Sequence, residues 1–319
     1  MSLTQILKSK HTKELRDRLK TDFPRPKISI SGELIVPPLT VNYGIVGTAF
    51  DYLMRFQLEK CYPDKIDTGN REWVATGAIN AIKKRAKPKI TKPSEINFAD
   101  GKEDTPEEKA MYAAILTASS RVNANSMSNY YKKAIDGYKA GKKAYAKYIK
   151  GGVFSDDLVN GALVLGKLDL YIRAGILEAS INANDNRDVD DLSQLYNLIK
   201  IEHFEPQKVC YLNPTFGKGS GMFGGADADF IIDDTLIDIK TTKLLKIERR
   251  QINQLLCYYM ASRIGGINGD PAKKDTIKKV GIYFSRYGLL WTIPLEEFGD
   301  EAAFANFEEW IKTYLKFSK

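Results

Sequence analysis

The 319-residue sequence has no run of 18 apolar residues, only three cysteines and only two histidines. The first absence argues against a membrane-spanning helix. Cys61, Cys210 and Cys257 lie far apart with no C-x-x-C spacing. Such a set suits reduced, buried thiols in a cytoplasmic protein better than a disulfide framework, an iron–sulfur cluster or a zinc site. With His11 and His203 as the only imidazoles, any chemistry must lean on carboxylates and lysines. Residues 1–20 are charged from residue 8 onward and lack an apolar stretch with a cleavage site, so no secretory signal is expected. No G-x-x-x-x-G-K-[ST] occurs. The G-x-G-x-x-G at 219–224 leads into a strand, whereas a dinucleotide fingerprint follows a strand and opens a helix. It reads as a loop at the mouth of a site or, more commonly, as a plain connection.

What is present is ordinary globular composition, 43% apolar and 28% charged, long enough to bury a sizeable core. Net charge is +8, from 48 Lys plus Arg against 40 Asp plus Glu. That balance favours an anionic partner such as nucleic acid or a membrane surface, although many soluble proteins are as basic without one.

Periodicity predicts a helix over 4–20, short strands within 27–42, a helix from Gly44 to about Tyr62 and another over 71–87. A loop over 88–104 follows. From Thr105 to about Lys200 nearly everything reads helical, with breaks at Gly151-Gly152 and in the Asn/Asp stretch 182–191. After Pro206 the texture changes to strands at 208–213, 226–232 and 235–241, a helix over 247–264, strands at 279–285 and 289–293, and a closing helix over 300–316. The expected organisation is an N-terminal segment (1–65), a helical region (66–205), an α/β core (206–295) and a C-terminal helix (296–319). No internal repeat is visible.

The segment 225–242, GADADFIIDDTLIDIKTT, concentrates the chemistry. Two β-branched stretches flank Asp233-Asp234, a tight hairpin turn. If those two residues form the loop, Ile232 opposes Thr235, Phe230 opposes Ile237, and Asp229 faces Asp238. Alternation adds Asp227 and Lys240 to the same face. Directly opposed like charges destabilise a hairpin by up to about 1 kcal/mol, so the pair needs compensation. A divalent cation supplies it, because hard oxygen ligands suit Mg2+ or Mn2+. The plain alternative is a solvated polar strand face with Lys240 balancing the charge. In the following helix Gln254 and Tyr258 are four apart and share a face, with Gln251 and Lys246 near it.

A-D-F-I-I, then D-I-K, then Q-x-x-x-Y in the next helix resembles the PD-(D/E)xK nuclease superfamily, most closely its RecB-type, λ-exonuclease-like branch and the CRISPR-associated adaptation nucleases. Ala228 stands where the motif's name has proline. Upstream, Gly47-Thr48-Ala49-Phe50-Asp51 resembles the G-T-A-x-H entry helix of RecB-type enzymes, with Asp51 in place of the metal-binding histidine. Asp227 is the alternative to Asp229 as ligand, because Gly224-Gly225-Ala226-Asp227 also fits the G-x-x-D spelling of that branch. The resemblance covers 206–295 plus the 47–59 helix.

The resemblance implies a restriction-endonuclease-like core, a mixed central sheet flanked by helices, with the helical region as a large insertion or N-terminal part. It implies a metal-dependent phosphodiesterase, an exonuclease or DNA-processing nuclease that leaves a 5′-phosphate. Asp229, Asp238 and the Ile239 carbonyl, with Asp51 as a further candidate, would hold Mg2+ or Mn2+. Lys240 would orient or deprotonate the attacking water, and Gln254 and Tyr258 would position water, lysine or phosphate. DNA is the expected partner, with RNA left open and no membrane. Lys243, Lys246, Arg249 and Arg250 lie just after the D-x-K strand and are candidate phosphate contacts. Residues 130–150 hold seven lysines, one aspartate and five tyrosines, with Tyr131, Tyr138 and Tyr145 in a heptad stripe. Lys132, Lys139 and Lys143 there could meet phosphates while the tyrosines stack on bases. The plain alternative is a solvated helix whose tyrosines pack inward. Two rival readings of the whole are a non-catalytic nucleic-acid-binding module on the same fold and a helical scaffold protein.

Overall fold

A computed structural model of the chain describes residues 3–69, 71–85, 129, 131–174 and 181–317. The chain forms two compact units. The first comprises Met1–Arg71, Lys147–Phe154 and Asp185–Lys319, and the second Glu72–Ala146 and Ser155–Asn184. Among the described residues the protein is α/β, with one six-stranded mixed, open sheet.

In the first unit the strands stand in the sheet in chain order: β1 (Ile66–Asp67), β2 (Cys210–Leu212), β3 (Phe230–Ile232), β4 (Thr235–Lys240), β5 (Lys279–Phe284) and β6 (Leu289–Pro294). β1–β2 and β4–β5 are parallel, and the other neighbours are antiparallel. The helices, in chain order, are α1 (Leu3–Lys8), α2 (Lys13–Asp22), α3 (Tyr43–Cys61), α4 (Val74–Arg85), α5 (131–149), α6 (Asp156–Ala174), α7 (Asn186–Asn197), α8 (Lys218–Met222), α9 (Arg249–Gly265) and α10 (Glu301–Phe317).

Alternation along the strands sorts the core into two layers. Ile231, Leu236, Val280, Ile282 and Phe284 pack with Ile252, Leu255, Leu256 and Tyr259 of α9 and with Phe304 and Phe307 of α10. On the opposite face Tyr283 stacks on Phe50 of α3, with ring centroids 6.2 Å apart, and meets Phe204 edge-on at 4.9 Å. α9 is the crossover that a parallel β4–β5 pair requires. Its N-terminus is fixed by a capping box between Glu248 and Gln251.

The second unit contains α4, α5 up to Ala146, and α6. Gly141 and Gly161 let the α5 and α6 backbones meet closely, since a Cβ on Gly161 would lie 2.8 Å from the Gly141 Cα. Tyr131 and Tyr138 are buried, and the Tyr138 hydroxyl shares a 2.6 Å hydrogen bond with Thr76.

Several expectations need correction. The β-branched stretch 27–42 forms no strand. Its Ile35 and Val36 N–H groups donate to the Arg286 carbonyl at 3.1 Å and its Leu39 N–H to the Asp191 carboxylate at 3.4 Å rather than to a strand, and Pro37-Pro38 remove two further donors. The helix expected over 4–20 breaks at Ser9, whose hydroxyl accepts from the His11 N–H at 3.2 Å. Within 219–224, Gly219 serves packing. α8 lies on α9, where a Cβ on Gly219 would collide with the Ala261 carbonyl. The loop expected over 88–104 and the helix start at Thr105 lie outside the described residues. Among the described residues no helix is long and apolar enough to cross a membrane.

Candidate active site

The β3–β4 hairpin turns on Asp233 and Asp234, as two-residue spacing requires. Asp233 adopts φ +52°, a conformation Asp tolerates. Its carboxylate accepts the N–H groups of Gln207, Lys208 and Val209 at 2.9, 2.7 and 3.0 Å, which ties the turn to the chain entering β2. The register is Ile232 to Thr235, Ile231 to Leu236 and Phe230 to Ile237. The ladder stops there, and Asp229, the next residue, lies near enough to Asp238 for the two carboxyl charges to act on each other.

At that step the ladder gives way to side-chain chemistry. The Asp229 carboxylate accepts the Ile239 N–H at 2.6 Å, while the Asp229 carbonyl turns to the Asn213 N–H at 2.8 Å. Asp238 is buried, 4% exposed, and its carboxylate meets the Lys240 ammonium at 2.5 Å. Lys240 also donates to Gln254 Oε1 at 3.2 Å, and Gln254 Nε2 donates to the Tyr258 hydroxyl at 2.9 Å. The four-residue spacing on α9 thus forms a continuous chain: Asp238, Lys240, Gln254, Tyr258.

The electrostatics are crowded with negative charge. Burial first, then the charges of Asp51 and Asp238, push the Asp229 carboxyl well above the ordinary carboxylate range. The Ile239 N–H and Lys240 oppose this and do not win. Burial, then Asp238 and Asp229, likewise hold the Tyr258 phenol protonated well beyond its ordinary value.

No family model, curated protein or solved structure matches the chain. The site therefore rests on its own geometry.

Five expected residues, Asp229, Asp238, Lys240, Gln254 and Tyr258, are brought together. Asp51 lies on α3, near enough for its charge to act on Asp229, and its carboxylate pairs with Arg55 at 2.6 Å. Asp227 forms an isolated bridge with Thr215, and its charge reaches Tyr258 more weakly than those of Asp229 and Asp238. Ile239 contributes its N–H to Asp229.

Among the expected phosphate contacts, Lys243 and Lys246 in the segment leaving β4 and Arg250 in the first turn of α9 are exposed. Arg249 is a correction. Its guanidinium turns inward to the Leu19 and Phe23 carbonyls that end α2, the latter at 2.7 Å, and to Asn253 Oδ1 at 2.8 Å. Lys132, Lys139 and Lys143 are exposed on α5, but Tyr131 and Tyr138 are buried and Tyr145 meets Trp73 edge-on at 4.9 Å. The tyrosine stripe packs inward, as the plain alternative held.

Two contributors, Thr241 and α1, have no signal in the sequence, whereas Gly47 belongs to the Gly47–Asp51 segment already singled out there. Thr241, next to Lys240, accepts from the Ser285 hydroxyl at 2.9 Å, 44 residues away. Gly47 of α3 lies against the Thr241 side chain. The short α1 comes beside Lys240 and Gln254.

The donor set is of the kind a hard divalent cation takes: the Asp229 and Asp238 carboxylates with Asp51 near enough to act on Asp229, in surroundings that penalise the Asp229 charge. Among the described residues no group of three or more His, Cys, Asp or Glu side chains forms a ready-made metal cage. The ligands available are Asp229, Asp238 and main-chain oxygen.

Proposed function

We propose that this chain is a divalent-metal-dependent nuclease that hydrolyses DNA phosphodiester bonds, on a restriction-endonuclease-like core. The activity is that of an exonuclease or DNA-processing nuclease. The observation that carries the reading is the link from Asp238 through Lys240 to Gln254 and Tyr258, with Asp229 near enough to feel the Asp238 charge. An ordinary polar strand face does not require a buried carboxylate, a lysine and a Gln–Tyr pair from another element to converge.

Asp229, Asp238 and the Ile239 carbonyl would hold Mg2+ or Mn2+. That ion supplies an activated water and neutralises charge growing on the phosphate. The chain's own residues do the rest. Lys240 has one donor on Asp238 and one on Gln254, which leaves a third for the attacking water or a phosphate oxygen. Gln254, oriented by Tyr258, fixes where that third donor points. Burial of the Tyr258 phenol keeps it a neutral hydrogen-bonding group rather than an acid or base.

The second reading is a nucleic-acid-binding module without cleavage. Incubation with linear and covalently closed circular DNA in Mg2+ decides between them. Cleavage abolished by Asp238→Ala and by Lys240→Ala supports the nuclease. Salt-sensitive binding with no cleavage supports the module, and neither activity leaves the scaffold reading.

A further inference from the structure

α1 lies alongside the segment that joins β4 to α9, and between them runs a groove of about 300 Å³ lined at once by Lys240 and Gln254 and by Lys8, Lys246 and Arg250. Among the described residues Glu248 is the one carboxylate in its lining. The walls also carry apolar surface, Leu7 and Leu244, the latter 63% exposed. Cations beside apolar and amide groups match a nucleotide chain, which is anionic along its backbone and apolar on its bases. The volume is about that of one nucleotide. A concave groove is the wrong shape for a flat lipid surface.

Glu248 is placed between two of the groove's cations, Lys246 before α9 and Arg250 in its first turn. It accepts from Arg250 Nε at 2.9 Å and lies 3.8 Å from Lys246 Nζ. Its carboxylate also belongs to the α9 capping box. A phosphate entering the groove must compete with that carboxylate for both cations.

We propose that this groove binds the backbone of a single DNA strand beside the scissile phosphate, with Lys8, Lys246 and Arg250 as its phosphate contacts and Glu248 as a built-in competitor that weakens the binding. The assignment of a DNA strand rests on the nuclease reading above. α1 then belongs to the substrate site, and Glu248 sets how readily the product departs.

The test is fluorescence anisotropy of a dye-labelled single-stranded DNA oligonucleotide with the full chain, in EDTA, across a NaCl series. Lys8→Ala weakens binding about three- to tenfold at low salt and flattens the log K against log salt slope by roughly 0.7, the value for one single-strand phosphate contact. Glu248→Gln, which keeps an acceptor for the helix cap, tightens binding and steepens the slope. Lys312→Ala, which removes the same charge from α10, does neither. Thermal melts confirm that each variant is folded.

The proposal is overturned if Lys8→Ala and Glu248→Gln both track the Lys312 control, or if the chain binds anionic phosphatidylserine vesicles and not the oligonucleotide. Because the assay contains no metal, it stands apart from cleavage. A chain that cuts DNA but shows no Lys8 or Glu248 effect loses the groove and keeps the nuclease. One that never cuts yet shows the full pattern keeps the groove and loses the nuclease.

Discussion

Asp229 accepts the backbone N–H of Ile239 through its side chain, at 2.6 Å, where the β3–β4 ladder has ended. A carboxylate thus does the work of a strand carbonyl at the point where the ladder stops. Its raised pKa means that the folded state binds the proton more tightly than the unfolded chain does. Stability from this group is therefore present below the ordinary value of 3.8. It declines as pH rises from there toward the folded pKa and stays lost above it. Asp229→Asn keeps an acceptor for the N–H and removes the penalty. In EDTA the variant is expected to melt above wild type at pH 7, by roughly 2–4 °C for each kcal/mol relieved, and to converge with it near pH 4. A wild type more stable than the variant at pH 7 contradicts this reading.

Tyr258→Phe removes the acceptor for Gln254 Nε2 and leaves the ring packing intact. Cleavage is expected to fall about tenfold in kcat with KM unchanged, for a stability loss of about 1 kcal/mol. Because burial and the neighbouring carboxylates hold the phenol protonated far above its ordinary range, the alkaline limb of the pH–rate profile is the same in both proteins. A limb that disappears in Tyr258→Phe shows that the phenol titrates in catalysis.

Arg249 and Arg250 are neighbours with opposite duties. Arg249→Ala strips hydrogen bonds from the end of α2 and is expected to cost roughly 1–3 kcal/mol of stability with no change in the salt dependence of DNA binding. Arg250, 74% exposed, shows the reverse on substitution by Ala, with weaker binding and an unchanged melt. Melting curves and anisotropy titrations on both variants check the division.

The hairpin was legible because a two-residue turn makes register countable, and counting placed Asp229, Asp238 and Lys240 on one face. Helical spacing did the same for Gln254 and Tyr258. Local patterns fail where the deciding partner is distant. The stretch 27–42 has strand composition but no ladder to join, and β1, two residues long, is too short to show alternation. The stripe Tyr131, Tyr138, Tyr145 was correctly a single face, yet spacing alone does not say whether a face looks inward. Composition also counted Arg249 with the surface cations, because nothing near it in sequence announces the end of α2.

Arg286 and Asp191 belong with these illegible pairs. They form a two-pronged ion pair at 2.7 and 2.9 Å with exposures of 0% and 1%, and the Arg286 carbonyl also receives the 35–36 segment. Asp191→Ala leaves a buried guanidinium without its counter-charge and is expected to cost about 3–5 kcal/mol in chemical denaturation. Asp191→Leu with Arg286→Met recovers much of that loss. A single variant as stable as wild type contradicts the assignment.

The most direct measurement is calorimetric titration of Mn2+ into the nucleic-acid-free protein, compared with Asp229→Asn and Asp238→Asn. Saturable binding in wild type that is lost or weakened at least tenfold in both variants, with melts showing each still folded, is the predicted result. Binding that survives both changes, or a wild-type protein that ignores the metal, contradicts a metal centre built on this hairpin.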